Sequence, residues 1–196
     1  MLEYRLPAAV LAGGVAAVWL LTSVAPVSAA DAKPKPFDIS SPAVKDGGML
    51  KQKNAGNNAQ NKNCDGQNVS PPLRWSNAPA NTKSYAIIMF DPGGRGGAGV
   101  VHWIAYDIPA SRTSFKEGET SKPASDFKGG KSTPNMDVYF GPCPPYGDKP
   151  HPYIFTLVAT DMAPGSLKAG MTRDEFVAAV NGHVLGSTNL ITLYGH

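Results

Sequence analysis

The stretch that most restricts the fold of this 196-residue chain is a loop rich in proline and glycine at residues 141–153, G-P-C-P-P-Y-G-D-K-P-H-P-Y. Proline fixes φ and lacks an N–H donor, so the loop is predicted to be stiff. It runs directly into residues 154–158, I-F-T-L-V, an apolar run typical of a buried strand. A stiff loop beside a buried strand would hold the His151 imidazole and the Tyr153 phenol in fixed directions, which a binding site requires.

The remaining sequence predicts a mostly β fold with a minor share of helix. Its 21 glycines and 18 prolines indicate many turns, and 42% hydrophobic residues are enough for a core. The predicted strands are 37–39, 73–75, 84–90, 100–108, 153–160 and 190–194. One helix is predicted after Thr172, because T-R-D-E is a capping box and Phe176, Val177 and Val180 fit one helix face.

The first thirty residues are predicted to be a secretory signal peptide. Arg5 supplies a positive start, residues 6–24 are apolar, and V-S-A at 27–29 or S-A-A at 28–30 fits a cleavage site. An uncleaved membrane anchor is the alternative, because the apolar run is near the length that spans a bilayer. No later run is long enough to span one, so we expect an exported protein, periplasmic or secreted, with no stable membrane span after cleavage.

Two cysteines, Cys64 and Cys143, are the only ones in the chain. Outside the cytoplasm an even pair usually forms a disulfide, so these two are predicted to be joined. The sequence has no C-x-x-C spacing, which argues against a structural zinc site.

Charge and motifs exclude several classes of function. The net charge is only +3, and no run of Lys and Arg is interleaved with aromatic residues, so no nucleic-acid partner is expected. The G-G-K-S at 129–132 resembles the end of a P-loop, but Ser125 stands where its first glycine belongs and Pro134 blocks a following helix. The sequence also lacks a dinucleotide fingerprint, a nucleophile elbow and H-E-x-x-H, so no cofactor is expected.

Three polar residues, Asp91, His102 and His151, each lie near a junction between a predicted strand and a loop, where functional sites tend to be found. Two histidines and a carboxylate can bind a metal. They can equally form an anion pocket, in which imidazole N–H groups donate and the carboxylate fixes the tautomer or the charge. A third interpretation is that they are strand-end residues whose hydrogen bonds go to the backbone. The residues alone leave all three open.

Four motifs, in this order, make the sequence resemble the phosphatidylethanolamine-binding protein family, and closest its bacterial, Raf-kinase-inhibitor-like branch. They are S-P-P-L-R-W from residue 70, K-S-Y-A-I-I-M-F-D-P from 83, H-W-I-A-Y-D-I-P from 102, and G-P-C-P-P-Y-G-D-K-P-H-P-Y-I-F-T-L-V-A-T-D from 141. The resemblance covers about residues 37–194. It implies an all-β fold with minor α content, an antiparallel β-sandwich with peripheral and C-terminal helices. Residues 31–196 are accordingly predicted to form one domain, with the Lys- and Pro-rich residues 31–36 as a mobile tail.

The resemblance further implies a small pocket for phosphate-like anions, including phospholipid head groups, that contains a cis peptide bond. By matching position, the ligand-binding residues are Asp91, His102, Gly141, Pro142, Cys143, His151 and Tyr153; none is expected to be catalytic or to bind a metal.

Three departures from the family pattern affect this pocket. Where the family often has a bulky aromatic residue just before the H-W pair, residue 101 is Val. Where the family reads D-P-D-A-P, residues 91–95 read D-P-G-G-R, so a second carboxylate is missing at Gly93 and Arg95 follows. Where the family reads H-R-Y, residues 151–153 read H-P-Y. We therefore expect a more open pocket with one acid fewer.

The leading functional hypothesis is an exported, non-enzymatic binder of a small anionic ligand, a phosphoryl-type anion or a phospholipid head group. A second is an inhibitor or effector that binds a partner protein, because family members are linked to kinases and proteases. A third is a metal-dependent hydrolase that uses Asp91, His102 and His151.

Overall fold

The fold is organised around strand β4, Ser84–Asp91, which is buried at nearly every position. The computed structural model describes residues 33–196, so the predicted signal peptide lies outside the described residues. β4 pairs antiparallel with β5, Val100–Pro109, on one side and with β8, His151–Thr160, on the other. A strand with neighbours on both sides and packed layers on both faces must be apolar throughout, as S-Y-A-I-I-M-F is.

The larger sheet has six strands in the order β2-β9-β8-β4-β5-β7. Its edge strands are β2, Gly48–Met49, and β7, Lys128–Gly129, while β9, Val184–Tyr194, lies between β2 and β8. All pairs are antiparallel except β2 with β9. β9 begins six residues before the predicted 190–194. The prediction missed these residues, V-L-G-S-T-N, because they carry no apolar alternation.

The smaller sheet has three antiparallel strands, β1, Asp38–Ser40, β3, Leu73–Ser76, and β6, Ser114–Phe115. Aromatic side chains fill the space between the two sheets, with Trp75 against Tyr85 at 5.7 Å and Trp103 against Phe115 at 6.1 Å between ring centroids. Burial of each such side chain contributes roughly 1.5–3 kcal/mol. The predicted β-sandwich with a minor share of helix is confirmed.

Helix α1, Arg173–Ala179, covers the other face of the larger sheet. It is the only α-helix in residues 33–196. The predicted capping box is confirmed: the Glu175 N–H donates to the Thr172 hydroxyl, and the Thr172 N–H donates to the Glu175 carboxylate. Phe176 and Val180 are buried as predicted, but Val177 is 52% exposed, so its assignment to the buried face was wrong. In a helix this short, only one narrow face can reach the sheet. The family resemblance implied C-terminal helices, but the last element of the described residues is strand β9.

The strand pairing brings three strand ends to one edge of the larger sheet. Asp91, the last residue of β4, pairs with Val100 at the start of β5, and Phe90 pairs with Ile154 near the start of β8. His102 and His151 therefore lie at the same end as Asp91. The described residues contain no cis peptide bond, so the one implied by the family resemblance is not found.

Candidate functional site

A cavity of about 430 Å³ opens at this end of the sheet. Asp91, His102, Cys143 and His151, four of the predicted ligand-binding residues, line it together. Its other polar lining residues come from three loops and are Asn58, Asn61, Arg95, Thr133 and Asp148. Three prolines, Pro134, Pro144 and Pro145, form part of the remaining wall.

Asp91 is the most buried carboxylate of the cavity, with 3% of its surface exposed. Its Oδ1 accepts a hydrogen bond from the Gly93 N–H at 2.8 Å, and its Oδ2 accepts one from His151 Nδ1 at 2.9 Å. A buried carboxylate is stable only when such donors surround it. The turn at Gly93 and the histidine together supply them.

His151 lies between two carboxylates. Its Nδ1 faces Asp91, and its Nε2 is 3.5 Å from Oδ2 of Asp148 in the proline-rich loop. The sequence interpretation did not include Asp148 and expected one acid fewer because of Gly93. A Cβ added at Gly93 would lie 3.4 Å from His151 Nδ1, so an acidic side chain there would also lie beside this ring. Asp148 provides the second carboxylate from a different loop.

His102 is nearly buried, and its Nδ1 lies 3.1 Å from the carbonyl oxygens of both Phe140 and Gly141. Carbonyl oxygens only accept, so Nδ1 carries the proton. Burial lowers the pKa of the His102 imidazole below its ordinary 6.5, because the charged form loses solvation. At neutral pH the ring is therefore uncharged, and its Nε2 has a free lone pair.

Tyr153 lies beneath the cavity and not on its wall. Its side chain is fully buried, and its ring meets that of His102 edge to face with centroids 5.1 Å apart. Within residues 33–196 its hydroxyl has no hydrogen-bond partner. Burial and then the nearby Asp91 charge raise the pKa of this hydroxyl, so it stays protonated and can act as a donor.

Gly141 and Pro142 form the backbone behind the cavity wall. Gly141 passes so close to the loop at Asn54 that a Cβ would come within 2.0 Å of the Asn54 carbonyl oxygen, which only glycine avoids. The Pro142 carbonyl accepts from the Gly56 N–H at 2.8 Å. These contacts fix the carbonyls that orient His102.

The predicted disulfide between Cys64 and Cys143 is confirmed, with the two Cα atoms 4.7 Å apart. It joins the Asn-rich loop that carries Asn58 and Asn61 to the proline-rich loop. Tyr146 adds a second connection, because its hydroxyl donates to Asp65 at 2.9 Å and its ring stacks on His196 at 3.8 Å. Two cavity walls are thus held together by covalent and polar contacts.

The cavity contains charges of both signs. Arg95 is the only Lys or Arg among its lining residues, and Asp91 and Asp148 are the carboxylates among them. Arg95 adopts φ of 53°, a left-handed conformation in the glycine-rich turn that follows β4. Placing an arginine in that turn brings a cation to the cavity rim.

The metal-dependent hydrolase hypothesis gains no support. Across residues 33–196, no three or more His, Cys, Asp or Glu side chains are grouped so that they could hold a metal ion. Asp91 and His151 point at each other, while Nδ1 of His102 is directed at backbone carbonyls.

None of the helices in residues 33–196 has the length and the apolar sequence that a membrane span requires.

Comparison with known proteins agrees with the fold. Residues 40–195 match the family model of the phosphatidylethanolamine-binding protein. The chain is 35% identical over 132 residues to a UPF0098 protein of Aquifex aeolicus, covering 67% of this chain and 77% of that one. It is 39% identical over 139 residues to a Mycobacterium tuberculosis protein with the name lipoprotein LppC, covering 67% of this chain and 61% of that one.

The fold is similar to that of solved structures as well. The crystal structure of Escherichia coli YbcL superposes with a TM-score of 0.72 at 27% identity, covering 82% of this chain and 98% of YbcL. The phosphatidylethanolamine-binding protein homolog CT736 of Chlamydia trachomatis gives a TM-score of 0.69 at 27% identity, covering 82% of this chain and 97% of that one. The family match spans most of the chain and includes every strand end that builds the cavity. This chain therefore belongs to the phosphatidylethanolamine-binding protein family.

Proposed function

We propose that the protein is an exported, non-enzymatic binder of phosphoryl-type anions, including phospholipid head groups, and that the ligand occupies the cavity at Asp91, His102 and His151. The observation that carries the proposal is the Asp91–His151 pair, joined at 2.9 Å inside the cavity. A carboxylate that accepts from one ring nitrogen fixes the orientation of the imidazole beside the ligand.

A permanent cation among the lining residues also supports an anionic ligand, because Arg95 contributes a guanidinium at the rim. Asp148, half exposed, adds a negative charge on the same rim. A head group with a phosphoryl and an ammonium, such as phosphoethanolamine, matches both signs of charge.

A binding role, without catalysis, follows from how the reactive groups are used. The Cys143 sulfur is in a disulfide and is not available as a nucleophile. Asp91 already accepts two hydrogen bonds, so it is poorly placed to act as a general base.

Two observations favour export. Disulfides persist in oxidising compartments outside the cytoplasm, and the two cysteines of this chain are joined. The similar protein from Mycobacterium tuberculosis has a lipoprotein name. We place the protein in the periplasm or the secreted fraction.

Isothermal calorimetry with phosphoethanolamine tests the binding proposal. A charged hydrogen bond contributes roughly 1.5–3 kcal/mol, so His151→Ala should weaken binding about ten- to a hundredfold. His183→Ala is the matched control, because His183 also contacts an aspartate, Asp161, at 2.8 Å but does not line the cavity. No measurable binding by the unmodified protein would contradict the proposal.

A further inference from the structure

A second cavity, of about 520 Å³, lies on the face of the larger sheet that α1 covers, and we call it the α1 groove. Its floor is formed by residues of β4 and β8, among them Ile88, Phe90, Ile154 and Val158, and its walls are formed by α1 and the start of β9. Of residues 33–196, none lines both this groove and the cavity at Asp91. The α1 groove is therefore a separate candidate site.

The α1 groove is apolar and open to solvent. Val177 on α1 is 52% exposed and Val184 at the start of β9 is 48% exposed, whereas Ile88 and Phe176 are buried. Concave surfaces that are mainly apolar and carry few polar groups are typical of small-molecule sites. A ligand with apolar surface of its own would cover the exposed valines and remove them from water, which favours binding.

The strand register gives the groove a length and a direction. Phe90 pairs with Ile154 at one end of the floor, and Val158 pairs with Ser187 at the other. The chain from Ile154 to Val158 spans about 13 Å at roughly 3.3 Å per residue. Arg173 lies at the Phe90 end, with its guanidinium carbon 4.9 Å from the centroid of the Phe90 ring. An extended apolar floor with a cation at one end matches a ligand with a long apolar chain and an anionic head.

Arg173 is the only charged residue among those of the described chain that line the α1 groove. Within residues 33–196 its guanidinium is in no salt bridge. The next two residues, Asp174 and Glu175, are acidic but do not line the groove, and the Glu175 carboxylate accepts from the N–H and the hydroxyl of Thr172. The guanidinium, which suits a carboxylate in charge and shape, is thus available to a ligand.

The floor of the groove favours an alkyl chain over a peptide. β4 is paired on both sides, with β5 and β8, and β8 is paired on both sides, with β4 and β9. The floor strands therefore have no free edge to which a peptide strand could be added. A peptide lying there would leave its own N–H and C=O groups unpaired, whereas an alkyl chain has no such groups.

We propose that the α1 groove binds a long-chain carboxylate of the fatty-acid class, with the carboxylate at Arg173 and the alkyl chain along the floor from Phe90 toward Val158. This is a second site, and it does not depend on the function proposed for the cavity at Asp91.

Calorimetry on the purified protein at neutral pH tests the site with three ten-carbon probes: decanoate, decanol and decyltrimethylammonium. Decanoate should bind at least about tenfold more tightly than decanol, because a charged hydrogen bond is added, and decyltrimethylammonium should bind more weakly still. Octanoate should bind more weakly than decanoate by up to about fourfold for each methylene removed. An excess of phosphoethanolamine should leave decanoate affinity unchanged, because the two ligands occupy separate cavities.

Two exposed positions give variants that do not disturb the core. Arg173→Gln should weaken decanoate binding about tenfold and leave decanol binding unchanged, and Arg74→Gln, which alters an exposed arginine on β3, is the matched control. Val177→Glu places a carboxylate on the groove wall and should also weaken decanoate binding at least about tenfold. Met49→Glu, at a 50% exposed residue outside the groove, is its control.

Several results would overturn the inference. No binding of decanoate, or equal binding of decanoate and decyltrimethylammonium, would exclude a carboxylate site in the groove. Displacement of decanoate by phosphoethanolamine would place the carboxylate in the cavity at Asp91. A dimer that dissociates in the Val177→Glu variant, seen by sedimentation, together with no decanoate binding, would assign the groove to a second copy of the chain. Failure of phosphoethanolamine alone to bind contradicts the proposed function and leaves this inference standing, provided that decanoate binds.

Discussion

Oδ2 of Asp91 accepts a hydrogen bond from Nδ1 of His151 across a gap of 60 residues in sequence and 2.9 Å in space. The contact exists because β4 ends where β8 begins in the same antiparallel sheet. Asp91 is also held by the Gly93 N–H at 2.8 Å, so its position is fixed before any ligand arrives.

Replacing Asp91 by Asn should weaken binding of phosphoethanolamine about tenfold, although the change removes a negative charge. The amide oxygen can still accept from the Gly93 N–H, but the NH2 group would then face His151 Nδ1 and could not accept its hydrogen bond, so the ring would lose its fixed orientation. Calorimetry on both proteins measures the change, with Asp161→Asn, the partner of His183, as the control. Tighter binding by Asp91→Asn would mean that simple charge repulsion governs the site.

The Cys64–Cys143 bond closes a loop with a sequence separation of 79 residues. In the chain-entropy model a loop of this size contributes about 4 kcal/mol to stability, so Cys64→Ser with Cys143→Ser should lower the free energy of unfolding by up to that amount. The measurement is denaturant unfolding. Titration of the denatured, unreduced protein should find no free thiol, whereas two thiols per chain would refute the bond.

Thr172→Ala should lower the free energy of unfolding by about 1 kcal/mol, because the hydroxyl caps the first turn of α1. Phosphoethanolamine affinity should stay within about twofold, since α1 packs on the sheet face away from the core between the sheets. Thr172→Ser keeps the cap and is the control. A large loss of affinity with unchanged stability would show that the helix takes part in the site.

The protein should lose stability as the pH falls below about 6.5, in part through His102. Burial lowers the pKa of this imidazole in the folded state, so the unfolded chain binds a proton that the folded chain does not. For one such group the free energy of unfolding falls by up to about 1 kcal/mol between pH 6.5 and 5.5. His102→Gln should flatten this part of the curve. Parallel curves for the two proteins would place His102 in a charged state when folded.

The sequence predicted those features that depend on local pattern or on a motif. Apolar runs marked β4, β5 and β8, and the T-R-D-E pattern marked the start of α1. The pairing of the two cysteines followed from their number and the predicted export. The ordered motifs were enough to identify the family.

Features that depend on tertiary contacts were missed. The first half of β9 is a strand because it pairs with β8, and its sequence has no apolar alternation that would indicate this. Asp148 reaches His151 only through the path of the proline-rich loop, so no spacing in the sequence indicates it. Periodicity assigned Val177 to the buried face, but only a narrow face of this seven-residue helix contacts the sheet, and Val177 lies outside that face. Tyr153 is in a predicted site motif, yet the inward face of β8 places it under the cavity.

The most direct test of the account is a crystal structure of the protein with phosphoethanolamine bound. The account predicts a phosphoryl group inside the cavity, with its oxygens near His151 and Arg95. A phosphoryl group ordered outside the cavity, or a metal ion coordinated by Asp91, His102 and His151, would contradict it.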